Sequence, residues 1–430
     1  MAESQNLNTN KFIGQNDVSV IECLFPALTV FTSFLNTYIG GRFNIIKRES
    51  LKINFMLNSK ISPKVRLHGL DHLRAFAIGF VFIYHYGRMF YAPETLTDIG
   101  KFGWTGVDLF FVLSGYLIAS NLFAGISTQG INVRVFFTKR VFRIIPAYLV
   151  ILMLYFFIPS FREREALAPL WKYLTFTQNI GLDIRYQGTF SHAWSLCIEE
   201  QFYLLFPLLM LILLHFKLVD KIFLLLLLLF LSGFIFRLYN WINFVNPSIE
   251  SGHMVFFWYK WIYYLSICRL DGLIIGVTIA AIFSFKPEIR SKIEAYGNRL
   301  LALSLLVLAA AYFVCDNEQS FSASIFGFPL VSVGYGLMVL GAISRDSILY
   351  NLKSGVTHKI ADLSFTIYLS HKIVLHLCQE HSVYFKAEKD SWQMFVICVL
   401  ASITAAYLLN MLIEKPFLKI KNMVLKRIGN

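Results

Sequence analysis

Charged side chains are scarce in this chain. Asp, Glu, Lys and Arg make up 15% of its 430 residues, where a soluble domain carries nearer a quarter. With 57% hydrophobic residues, 16% aromatic residues and a mean hydropathy of +0.59, that shortage excludes an ordinary soluble domain and points to a polytopic membrane protein. Acidic residues are scarcer than basic ones, 26 against 39, for a net charge of +13. Such an excess could suit nucleic acid, but Lys and Arg fall in short clusters between apolar runs, as the positive-inside rule requires, so no nucleic-acid partner is expected. Cysteine is sparse too. Cys23, Cys197, Cys268, Cys315, Cys378 and Cys398 are scattered without a CxxC pair or metal-ligand spacing; they read as small apolar packing residues, and no metal is expected. There is no low-complexity linker and no second soluble domain. The N-terminus lacks a basic start and a small-residue cleavage site, which argues against a secretory signal peptide.

What is present is a series of apolar windows, each long enough to cross a bilayer. They fall at about 72–92, 104–124, 142–160, 195–215, 221–241, 259–284, 299–315, 325–343, 361–380 and 394–414, giving an all-α chain of about ten spans. Residues 1–66 are an N-terminal extension with three open readings: Val18 to Ile39 as an extra span, the same stretch as an interfacial segment, or sequence upstream of a start at Met56. Residues 67–417 form the membrane domain and 418–430 a basic tail. Basic residues such as Arg134, Lys139 and Arg140, Lys217 and Lys221, Lys286 and Arg290, and Arg345 and Lys353 follow the even-numbered spans. They place both ends of the core in the cytoplasm and the protein in an inner membrane. Trp258, Tyr259, Trp261, Tyr263 and Tyr264 read as an aromatic belt opening span six at the outer interface. The connection at about 161–193 is the longest on that side and the place to meet a polar acceptor.

Within the first span, Arg74 and His85 lie eleven residues apart. Eleven steps of ~100° come back to within ~20° of the starting face, so both side chains leave one side of a helix, separated by a rise of ~16 Å. Ionisable groups at such depth usually face a bundle interior or a wet cavity and mark function, although a satisfied structural histidine is the plain alternative. A second cluster, Arg134, Lys139, Arg140 and Arg143, precedes span three. Arg140 and Arg143 sit three apart and offer neighbouring guanidinium forks to phosphate oxygens. Asp108, Glu199, Arg269 and His371 also fall in or beside apolar spans, and together suggest a polar cavity. Gly103, Gly106 and Gly115 would let helices approach closely.

In order along the chain, LDHLRAFAIGFVFIYH, GVDLFFVLSGYLI, FFTKRVFRIIPAY, HAWSLCIEEQFYLLFP, RLDGLIIG, SFTIYLSH and IEKPF resemble the motifs of the integral-membrane acyltransferase family 3. Its members acylate hydroxyls of surface polysaccharides and other small acceptors. The resemblance implies that His85 and Arg74 are the catalytic pair, that Arg140 and Arg143 are associated with the acyl donor, and that Glu199 and Trp194 belong to the site. His72 stands where many members have glycine, and no hydrolase-like domain follows the membrane core as it does in some relatives. The expected reaction is transfer of an acyl group, most simply acetyl, from cytoplasmic acyl-CoA to a hydroxyl on the outer side, with no bound cofactor and His85 as general base. A covalent acyl-histidine is the other mechanism considered. Lipopolysaccharide O-antigen, capsule, exopolysaccharide and a small metabolite stay open as acceptors, and the oligomeric state is open. A carrier of a glycolipid or anion is the competing class.

Overall fold

The computed structural model describes residues 67–128 and 132–428; the readings attached to Val18 to Ile39 and to Met56 lie outside them. Among the described residues the chain forms helices, turns and loops, with no strand. The long helices are α1 (His68–Met89), α2 (Gly106–Thr128), α3 (Val133–Phe157), α4 (Trp194–His215), α5 (Ile222–Asn240), α6 (Asp271–Phe285), α7 (Gly297–Val314), α8 (Phe328–Ile343), α9 (Gly355–Glu380), α10 (Trp392–Leu409) and α11 (Lys415–Ile428). Side-chain caps start three of them. The Asn132 carbonyl accepts from the Val135 amide at 3.0 Å, the Ser354 hydroxyl from Thr357 at 3.3 Å and the Ser391 hydroxyl from Met394 at 3.1 Å, each satisfying an amide that the first turn leaves unpaired.

Seven helical stretches among the described residues are long and apolar enough to cross a membrane. A pair bent by 110°, α6 with Pro287–Glu294, makes an eighth. Helices α1 and α9 are 22 and 26 residues long but carry more polar side chains, and they hold His85 and His371. The tail beyond residue 417 is the continuation of a helix, with α11 packed against α3.

The structure corrects the reading of span six. Instead of one helix over 259–284, the chain runs as a helix to Trp258, a wider turn over Tyr259–Tyr263, a break around Leu265 to Leu270, and then α6. Buried polar side chains take the carbonyls that the break releases: Asn179 donates to Tyr264 O at 2.9 Å and Arg237 to Cys268 O at 2.8 Å. Irregular backbone is tolerated at such depth where protein supplies those partners. For the same reason Trp258, Tyr263 and Tyr264 are no interface belt. They are core residues; Tyr263 lies 4.9 Å from the guanidinium of Arg269, and Trp258 and Tyr264 pack on Tyr263.

Close contacts fix the frame around α1. A Cβ on Gly106 would meet the carbonyl oxygen of Ala77 in α1, and one on Gly115 would run into that of Leu273 in α6. Helices α2 and α6 therefore touch backbone to backbone, with only hydrogen atoms between them. Gly115→Val is expected to cost about 1–3 kcal/mol of stability through overpacking, read as a lower unfolding midpoint in detergent. Gly79→Ala, with open space at its Cβ, should hold that midpoint or raise it slightly, since alanine favours a helix over glycine.

Helix α1 packs against α2, α8 and α9. At its start, His72 Nε2 bonds Leu352 O at 2.9 Å and Nδ1 bonds the Thr357 hydroxyl at 2.8 Å, fastening α1 to the start of α9.

Candidate active site

One uninterrupted helix carries both Arg74 and His85, with Ile78 and Val81 buried between them. Arg74 opens onto a cavity of about 800 Å³ whose wall also includes Lys139, Arg140, Arg143, Glu199 and Tyr368. Four segments distant in sequence thus meet there, and Lys421, Asn422 and Leu425 of α11 close one side. The polar groups are braced. Glu199 accepts hydrogen bonds from Ser114 at 3.1 Å and from Tyr203 at 2.9 Å, while the Arg140 guanidinium lies 4.5 Å over the Tyr203 ring. Arg74 stands 4.0 Å from Asp71, itself within 3.5 Å of His358. By sequence Glu199 falls in or beside an apolar span. It lies on this basic cavity, because the cavity reaches past the first turn of α4.

Tyr368 links the cavity to a second group of side chains. Its ring is 5.6 Å from that of His192 and 6.0 Å from that of His371. His371 Nε2 lies 3.1 Å from His85 Nδ1, and the ring centres of His85, His192 and His371 form a triangle with sides of 5.0, 5.1 and 6.1 Å. Nδ1 of His371 is held by two backbone carbonyls, Tyr368 O at 2.8 Å and Ile367 O at 3.1 Å. Neither ring nitrogen of the buried His192 has a hydrogen-bond partner among the described residues. Beside them Lys372 and Glu163 form a buried ion pair at 3.1 Å. No group of three or more His, Cys, Asp or Glu side chains among the described residues is arranged to hold a metal ion.

The remaining candidates assemble elsewhere. Arg269 donates to both carboxylate oxygens of Asp108 at 3.0 Å, and its guanidinium is caged by the rings of Phe328 at 4.0 Å, Tyr263 at 4.9 Å and Trp194 at 5.6 Å. Trp194 therefore packs on this pair and does not line the basic cavity. A similar buried pair joins Arg237 to Asp271 at 2.5 Å.

At the other end of α1 a smaller cavity, about 240 Å³, is lined by Tyr84, Arg88, Lys101, Tyr312, Glu318 and Gln319 among others. Tyr84 donates to Glu318 at 3.4 Å and Arg88 lies 3.6 Å from it. Burial pushes the Glu318 carboxyl above the usual glutamate range, against the opposing pull of Arg88 and Tyr84. His85 lines neither cavity; it follows Tyr84, which lines this one, and contacts His371, three residues from Tyr368 on the wall of the basic cavity.

Sequence reasoning missed His192, Tyr368, Lys372 and Arg237. Tyr368 was findable, since it lies three residues before His371 and so on the same helix face. The partnerships of His192 and Arg237 depend on tertiary packing, and no local pattern announces them.

Known proteins resemble this chain in sequence. A family model described as an acyltransferase domain matches residues 67–411. A protein of Staphylococcus aureus (strain COL) with a provisional O-acetyltransferase name is 30% identical over 376 residues, which is 82% of this chain and 57% of the relative. The O-acetyltransferase OatA of Staphylococcus aureus (strain NCTC 8325) is 29% identical over 388 residues, 84% of this chain and 59% of its own. The chain thus spans less than three fifths of the length of these relatives. No solved structure matches it.

Proposed function

The chain belongs to the integral-membrane acyltransferase family 3, and from that membership we propose that it moves an acyl group, acetyl first, from cytoplasmic acyl-CoA to a hydroxyl of a cell-surface or exported glycan. The observation that carries this reading is the layout of α1, where Arg74 faces a basic cavity large enough for a nucleotide and His85 stands deeper, in contact with a second imidazole. Arg140, Arg143 and Lys139 hold the donor's phosphates, and the Glu199–Tyr203 hydrogen bond steadies the ring under Arg140. The helical rise of ~16 Å between Arg74 and His85 favours Arg74 as a grip on the donor over a place at the reacting carbonyl. The pantetheine arm bridges the interval, passing Tyr368.

In the reaction, His85 takes the proton of the acceptor hydroxyl as its oxygen attacks the thioester carbonyl. The C–S bond then breaks, and the proton ends on the departing CoA thiol. The cavity at the Arg88 end is where the acceptor enters. Ten crossings complete the reading: the seven apolar stretches, α6 as an eighth, and α1 and α9 shielded inside the bundle. Both ends of the core then lie in the cytoplasm of a cell with this protein in its inner membrane.

The test is acyl transfer in nanodiscs with acetyl-CoA, which a vectorial carrier would not perform, together with mass spectrometry of surface glycans for an acetyl increment. Arg143→Gln is expected to raise the KM for acetyl-CoA by roughly 10-fold or more with kcat little changed, the signature of a lost charge-assisted hydrogen bond to the donor. An unchanged KM would remove Arg143 from the donor site.

A further inference from the structure

We infer that His371 is a positioning residue that sets the tautomer of His85, leaving His85 Nε2 as the nitrogen that accepts the proton; this rests on the base assignment above. Carbonyl oxygens only accept hydrogen bonds. With Tyr368 O and Ile367 O at 2.8 and 3.1 Å from His371 Nδ1, that nitrogen carries the hydrogen. Among the described residues neither ring has a carboxylate partner, and the neighbouring cation Lys372 is already paired with Glu163, so a second buried positive charge here would go uncompensated and the resting imidazoles are neutral. A neutral ring with hydrogen on Nδ1 has a bare Nε2. His371 Nε2 therefore accepts from the nitrogen 3.1 Å away, His85 Nδ1, and His85 is left with its lone pair on Nε2.

The chain of donors runs in one direction, from His85 to His371 to the backbone of α9. It does for His85 what a carboxylate does for the histidine of a hydrolase triad, without placing a charge in the membrane. When His85 Nε2 takes the hydroxyl proton, both its nitrogens carry hydrogen, and the positive charge is shared through the Nδ1–H bond to His371. When the thiolate leaves, that proton passes to sulfur and the pair returns to its starting state. His192, Tyr84, Tyr368 and the Lys372–Glu163 pair are other polar groups packed around the two rings, and the Val81 carbonyl, one turn earlier on α1, also takes a hydrogen bond from the His85 ring.

Two readouts test this. In free histidine the Nε2–H tautomer dominates, so nitrogen-15 magnetic resonance of histidine-labelled protein in bilayers, with His85 assigned by loss of its signals in His85→Ala, should find His85 as the Nδ1–H form. In His371→Phe the same resonances should revert to Nε2–H. In turnover of acetyl-CoA with water or a simple hexoside as acceptor, His371→Phe should lower kcat by roughly 10²-fold at an unchanged KM for acetyl-CoA. His371→Gln should recover about a tenth or more of the wild-type rate, because its amide oxygen can still accept from Nδ1–H. An Nε2–H signal for His85 in the wild type would overturn the assignment even if the Phe variant fails to fold. So would equal losses in the Phe and Gln variants, or wild-type turnover in His371→Phe while His85→Ala is dead. Turnover in His85→Ala would instead remove the base on which the pair depends.

Discussion

Replacing His85 with alanine is expected to lower acyl transfer by about 10²- to 10⁴-fold, the range a positioned general base supplies, equivalent to about 3–5 kcal/mol of barrier. The acceptor hydroxyl is a poor nucleophile until its proton leaves. Among the described residues no carboxylate contacts the His85 ring to act in its place. His371 is bound by its own carbonyls through Nδ1 and faces His85 through Nε2, so it is not free to substitute. The measurement is product formed per folded protein, with insertion and elution profile compared to wild type. Because His85 is half-buried at a helix interface, its truncation should leave folding largely intact, so a dead but well-folded variant is the informative result. Undiminished turnover would strip His85 of its role. Radiolabelled acetyl trapped on the histidine without acceptor would favour the covalent route over direct transfer.

Arg269→Leu is expected to be among the most damaging changes to the fold, about 3–5 kcal/mol, because it strands the Asp108 carboxylate in the interior. Both side chains are almost wholly buried, at 0% and 4% exposure. Arg269 leaves Nε and Nη1 without hydrogen-bond partners, and the aromatic faces of Phe328, Tyr263 and Trp194 compensate through their quadrupoles. Removing the cation alone deletes the partner and the filling of the cage together. Removing both charges at once, as Asp108→Leu with Arg269→Met, restores a neutral interior of similar volume and should recover much of the loss, since a buried ion pair and a well-packed apolar replacement are often close in energy. The measurement is the unfolding midpoint in detergent for each single variant and the double. A double variant as unstable as the sum of the singles would mean that the two residues act independently, contrary to the 3.0 Å contacts. If the double variant also keeps its turnover, the pair is scaffold and the chemistry resides wholly at His85.

Much of this was readable in the residues because it is periodic. Arg74 and His85 share a face by helical arithmetic alone, most of the apolar windows fall on long helices, spans three and six fitting least well, and Gly106 and Gly115 mark close approach as small residues in membrane helices do. What the sequence hid is whatever depends on partners far along the chain. Nothing local to RLDGLIIG says that Arg269 would be spent on Asp108 while Asp271 takes Arg237. The aromatic run 258–264 has the composition of an interface belt, yet Trp258, Tyr263 and Tyr264 are core, and Tyr263 faces the Arg269 guanidinium. Composition cannot distinguish a ring facing lipid from a ring facing a guanidinium.

The fastening at His72 has a consequence for what α1 and α9 can tolerate. From that shared origin the two helices climb side by side, thirteen residues to one imidazole and fourteen from Thr357 to the other, like two rulers zeroed at the same mark. Deleting a single residue between Thr357 and His371 would keep every side chain named here, yet turn the upper ring by ~100° and lower it by ~1.5 Å. In this pair of helices, counting is as much a part of the chemistry as composition.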